Sequence, residues 1–94
     1  MKWYVIHVEL SLPLLESTYS FLWSYAHGLT IEKKEQDFLL KAYLFSPNPH
    51  GLAKKLHNFL NIMAKSFKTT YTEPSVNPLR LNSSDEFVIV PTPA

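Results

Sequence analysis

Between residues 52 and 67, Leu52, Leu56, Phe59, Leu60, Met63 and Phe67 recur at helical spacing, while Lys54, Lys55, Asn58, Asn61 and Lys65 take the opposite side. That periodicity predicts an amphipathic helix beginning near His50, whose apolar stripe must cover something. The opening residues follow another period. Tyr4, Ile6, Val8 and Leu10 alternate with Trp3, Val5, His7 and Glu9, which predicts a strand with the first set facing the core. Residues 14–26 return to helical spacing, with Leu15, Tyr19, Leu22 and Ala26 widened by Leu14, Thr18, Phe21 and Tyr25. Ser11 is placed to cap this helix, Pro13 fits its first turn, and Gly28 is placed to stop it in a left-handed conformation. Trp23 falls at the edge of the polar side, half covered.

Leu29, Thr30, Ile31 and Glu32 restart an extended pattern, residues 33–37 make a charged tip, and residues 38–45 return as a strand with Lys41 on its wetter face. No Asn-Gly or Asp-Gly pair enforces a tight turn, so the hairpin has a longer loop. Residues 68–72 form a short strand candidate. Pro74 and Pro78 then break the chain into an irregular connection, residues 79–81 form a short extended piece, and Phe87, Val88, Ile89 and Val90 a final strand.

Strand, helix, strand, strand, helix, strand is the ferredoxin-like βαββαβ order, an α+β two-layer sandwich with both helices on one face and a C-terminal extended strand and linker. The boundaries are residues 1–73 for the domain and 74–94 for the Pro-rich linker and final strand. The face without helices then carries Trp3, Val5, His7, Lys41, Tyr43 and Phe45. Its aromatics are either a second small core, if the tail folds over them, or an interface patch.

Composition narrows the chemistry. The chain has 94 residues, 46% of them hydrophobic, enough for one domain with a core. Nine basic and eight acidic side chains leave a net charge of +1, which gives no electrostatic reason to expect nucleic acid or an anionic membrane. The absence of cysteine fits a cytoplasmic protein. No apolar run is long enough to span a membrane, and His7 and Glu9 interrupt the only stretch resembling a signal peptide.

Gly28 and Gly51 are the only glycines, so there is no phosphate-cradling loop and no nucleotide or adenosyl-nucleoside fingerprint. No catalytic, metal or cofactor-binding residue is assigned. His50 and His57 lie about two helical turns, roughly 10 Å, apart, too far for one ion to take both rings, and are expected to be solvated. His7 and Glu9 share a strand face as a base and its orienter would, without a nucleophile or oxyanion donors in view. The lysines of the long helix suggest an RNA contact, but residues 38–45 lack the glycine of the RNA-binding strand motif, and a solvated face is favoured.

Asn77, Pro78, Leu79, Arg80 and Leu81, a polar gap, then Phe87, Val88, Ile89, Val90 and Pro91 resemble a segment of the bacterial ribosomal protein L-eleven methyltransferase family. In that family the segment links an N-terminal recognition domain to the S-adenosylmethionine-binding domain. The opening Lys2, Trp3, Tyr4, Val5 and Ile6 resemble the first strand of the same recognition domain. Two departures stand out: residues 68–76 lack the family's Trp-rich acidic stretch, and no tryptophan follows Val90 and Pro91. The resemblance implies a substrate-recognition part of a ribosomal protein methyltransferase, not catalytic alone. Its partners would be the ribosomal protein substrate and a catalytic domain absent from this chain, which would hold the S-adenosylmethionine. Trp3, His7, Trp23, Tyr43 and Phe45 become the candidate partner-binding residues, and a weak homodimer is compatible. The alternative is a stand-alone ferredoxin-like dimeric module with a regulatory or small-molecule-binding role. A small enzyme of this fold has least support.

Overall fold

The computed structural model describes residues 2–79. Along it run β1 (Lys2–Leu10), α1 (Leu12–Trp23), β2 (Gly28–Lys33), β3 (Phe38–Ser46), α2 (Pro49–Phe67) and β4 (Ser75–Pro78). The strands form one sheet in the order β2-β3-β1-β4, with every neighbouring pair antiparallel. Both helices pack on the same face, giving the two-layer α+β class that the periodicities predict.

Alternation along β1 drives this arrangement. Ile6, Val8 and Leu10 are buried against Leu40, Ala42 and Leu44 of β3 and beneath Leu14 and Leu22 of α1 and Leu52, Leu56 and Leu60 of α2. Each leucine so enclosed contributes roughly 1.5–3 kcal/mol relative to an exposed one. Phe21 of α1 stacks on Phe59 of α2 at 4.6 Å between ring centres, which ties the two helices together above the sheet.

The ends of α2 explain its length. Asn48 Oδ1 accepts the Gly51 N–H at 3.1 Å, satisfying one of the donors left free at a helix start. A β-carbon at position 51 would fall 2.5 Å from Asn48 Nδ2, so this close cap depends on the glycine. At the other end Lys68 turns left-handed, with φ 54°, and the Thr69 N–H returns to the Ala64 carbonyl at 3.0 Å.

Several expectations are corrected. Gly28 does not stop α1 in a left-handed conformation. The helix ends at Trp23, Ser24 caps it with right-handed backbone, and Gly28 opens β2. Ser11 occupies the N-cap position, but its hydroxyl meets Thr69 Oγ1 at 2.7 Å rather than a helix N–H. The buried side of α1 centres on Leu14, Thr18 and Leu22, with Leu15 and Tyr19 half-buried beside it. On α2 the stripe closes on Ala64, and Phe67 is left exposed, because the left-handed turn at Lys68 ends the contact first. His57 is not a solvated ring: it is half-buried with the Tyr71 hydroxyl 3.3 Å from its Nδ1.

The largest correction concerns the fourth strand. Residues 68–72 contribute only an isolated bridge, Tyr71 to Leu10, supported by Thr72, whose N–H donates to Glu9 O and whose Oγ1 accepts the Glu9 N–H. The true β4 lies where the prolines predict an irregular connection. Among the described residues it pairs only with β1, and an edge strand with one partner tolerates a proline at its end. Val76 anchors it, opposite Ile6 on the covered face. Leu79 follows with its N–H on Trp3 O at 2.9 Å. The expected strand at Phe87 to Val90, and Arg80 and Leu81, lie outside the described residues.

Candidate functional site

The period of β1 places Trp3, Val5, His7 and Glu9 on the sheet face away from the helices. Register then fixes their neighbours: Trp3 lies opposite Phe45, Val5 opposite Tyr43, His7 opposite Lys41 and Glu9 opposite Leu39. On the other side of β1, Asn77 faces Val5 and Ser75 faces His7. Four of the five candidate residues, Trp3, His7, Tyr43 and Phe45, are thus brought onto one face. Trp23 is not among them. It lies on α1, in the other layer, against Tyr19 at 5.3 Å between ring centres.

The upper half of this face is aromatic. Trp3 tilts against Phe45 at 5.2 Å and meets the His27 ring edge-on at 5.4 Å. Both separations lie in the range where ring quadrupoles attract. Val5 is only 6% exposed although α1 and α2 pack on the other face, whereas Phe45 remains 40% exposed. The patch is therefore packed at its centre and open at its rim.

His27 escapes sequence reasoning altogether. It sits between α1 and β2, and its Nδ1 accepts the Phe45 N–H at 3.2 Å, so the neutral ring carries its proton on Nε2. The His27 backbone N–H donates to Tyr43 O at 2.7 Å. Only the register of β2 against β3 puts this ring beside Trp3, and no local pattern reports that register.

The lower half is polar. A cavity of about 380 Å³ is lined by His7, Glu9, Leu39, Thr72, Glu73 and Ser75 together with Val8. Burial lowers the His7 pKa below its ordinary value, and the Lys41 ammonium lowers it further. Ser75 and His7 are register neighbours, yet no hydrogen bond joins His7 to Ser75 or to Glu9 among the described residues, so no nucleophile–base pair is assembled. Among the same residues no group of three ligating side chains could hold a metal ion. Nor is any helix long and apolar enough to cross a membrane.

An aromatic rim beside two carboxylates suits contact chemistry: apolar or aromatic anchors above, a cationic side chain at Glu9 and Glu73 below. No protein-family model matches the chain, and no curated protein or solved structure shows significant similarity to it.

Proposed function

We propose that this domain is a non-catalytic protein-recognition module, the substrate-binding part of an S-adenosylmethionine-dependent ribosomal protein methyltransferase. The observation that carries this proposal is the half-open aromatic face of Trp3, Tyr43 and Phe45, set opposite the helices and next to a polar cavity with Glu9 and Glu73. The resemblance of the opening strand and of the Asn77 to Pro91 segment supplies the substrate class. A basic protein would seat apolar side chains against the rings and lysines near the carboxylates. The cofactor and methyl transfer would belong to a catalytic domain outside this chain, and the setting is the cytoplasm.

Titration calorimetry with isolated ribosomal protein L-eleven tests it. Saturable binding should weaken at least about tenfold in Phe45→Ala, roughly 1.4 kcal/mol, the loss of one moderate interface anchor. Absence of binding, or binding indifferent to Trp3→Ala and Phe45→Ala alike, would overturn it.

A further inference from the structure

The end of the β2–β3 ladder is closed by a ring. Its last register pair is Gly28 with Tyr43. Beyond that pair the Phe45 N–H donates to a side chain, His27 Nδ1 at 3.2 Å, while the His27 backbone N–H is held by Tyr43 O at 2.7 Å. An imidazole thus accepts from the strand at the point where β2 has not yet begun.

A ring in that place is a conditional acceptor. Neutral imidazole with its proton on Nε2 accepts at Nδ1, whereas imidazolium carries two donors and no acceptor, and turning the ring over restores none. A backbone carbonyl has no such second state. The neighbour on the other side has the opposite preference. Trp3 meets His27 edge-on at 5.4 Å, and tryptophan is the aromatic ring that best holds a cation. Trp3 in turn packs on Phe45 at 5.2 Å, so strand end, indole and imidazole form one unit.

We propose that His27 is an acid-released latch on the aromatic face. Neutral, it holds the Phe45 end of β3 and keeps the Trp3–Phe45 contact in place. Protonated, it stays with Trp3 and lets Phe45 go, so the exposed rim of the face loosens while the helix-covered core does not change. The titratable and charged groups that share this face are Tyr43 and Lys41 on β3, His7 and Glu9 on β1, and Glu32 on β2. Tyr25, close by in sequence, lies in the helix layer against Phe21 and Lys55. Among the described residues no charged side chain hydrogen-bonds or ion-pairs with the His27 ring, so its own proton sets its state. The latch lies within the chain and needs no particular partner, so it stands or falls apart from the methyltransferase reading.

NMR of the intact chain between pH 8 and pH 5 tests it. The Phe45 amide proton should move upfield, as a lost hydrogen bond requires, in the same transition as the His27 ring and the Trp3 indole. Its protection against hydrogen exchange, corrected for the intrinsic rate, should fall at least about tenfold, the scale of one hydrogen bond. The Val8 amide should show neither change. In His27→Asn the side-chain oxygen takes the place of Nδ1 and cannot titrate, so Phe45 should stay protected and Trp3 unmoved across the range. His7→Gln should keep the transition. Circular dichroism must match the parent. If His27→Asn misfolds, His27→Ala replaces it, and Phe45 should then be unprotected at every pH. A Phe45 amide indifferent to protonation of His27, a transition that survives in either His27 variant, or one that disappears in His7→Gln would overturn the proposal.

Discussion

Val8 and Val5 stand three residues apart on one strand, on opposite faces of one sheet, and both are nearly inaccessible: 1% exposed for Val8 and 6% for Val5. What surrounds them differs. Val8 belongs to the continuous core shared by both helices, whereas Val5 lies outside it, between register neighbours Tyr43 and Asn77. One face is closed by elements that cannot leave without unfolding. On the other, neither helix reaches Val5, whose register neighbours are strand residues. Low exposure alone therefore does not distinguish a core from a covered surface, and the difference should be measurable with one substitution made twice.

Val8→Ala should cost about 2–3 kcal/mol, because two lost methyl groups leave a cavity that helices on one side and strands on the other cannot close. Val5→Ala should cost about 1 kcal/mol, since neighbours on an uncovered face can settle into the space. Urea midpoints at constant m-value report both. Equal losses would mean that the second face is as rigid as the first, and the contrast between them would collapse.

Much of the covered face was legible in the residues themselves. Tyr4, Ile6, Val8 and Leu10 announce their face by period two, and Leu52, Leu56 and Leu60 by helical spacing, because one-sided burial leaves a periodic trace. Where burial is slight, the trace vanishes. Of the four residues of β4 only Val76 is an aliphatic core former, and Pro78 at its end with Pro74 just before it carries the opposite local message, so its pairing with β1 has no signature short of the three-dimensional register. Gly28 misleads for a related reason: a glycine after an apolar stripe resembles a helix stop, but three residues already separate it from Ser24. On the open face the same limit applies. Trp3, His7, Tyr43 and Phe45 follow from alternation, while His27 reaches Trp3 only through tertiary pairing.

The covered side has a flaw that sharpens the comparison. Thr18 is wholly buried on α1, and among the described residues its hydroxyl has no hydrogen-bond partner. Thr18→Val keeps the branched shape and removes the unsatisfied oxygen, so it should stabilise by about 1 kcal/mol. A thermal midpoint raised by several degrees would establish that this side tolerates no polar group without loss. A lowered midpoint would mean that the hydroxyl has a role in the packed layer.

A smaller effect is expected at the rim of the open face. Phe45→Ala removes the ring contact with Trp3, and with 40% of the side chain already in water the loss should stay near 1 kcal/mol or below. Urea midpoints that fell as far as for Val8→Ala would make Phe45 a core residue and leave little of a recognition surface.

The least effect, and the most diagnostic of wetness, is expected at His7. Its pKa is lowered from 6.5, first by burial and then by the Lys41 charge, so the folded protein resists protonating a ring that the unfolded chain protonates readily. As pH falls through 6.5 the unfolded state binds the proton first, and stability declines until the folded pKa is also passed. Above 6.5 the contribution is complete and constant. Urea midpoints compared between pH 7.5 and pH 5.5 should therefore fall in the parent and fall less in His7→Gln. Lys41→Gln should reduce the decline without abolishing it, because the charge is the second cause and burial the first. A parent profile as flat as that of His7→Gln would mean that water reaches the ring freely, and the polar half of this face would then be open surface rather than a cavity able to select what enters it.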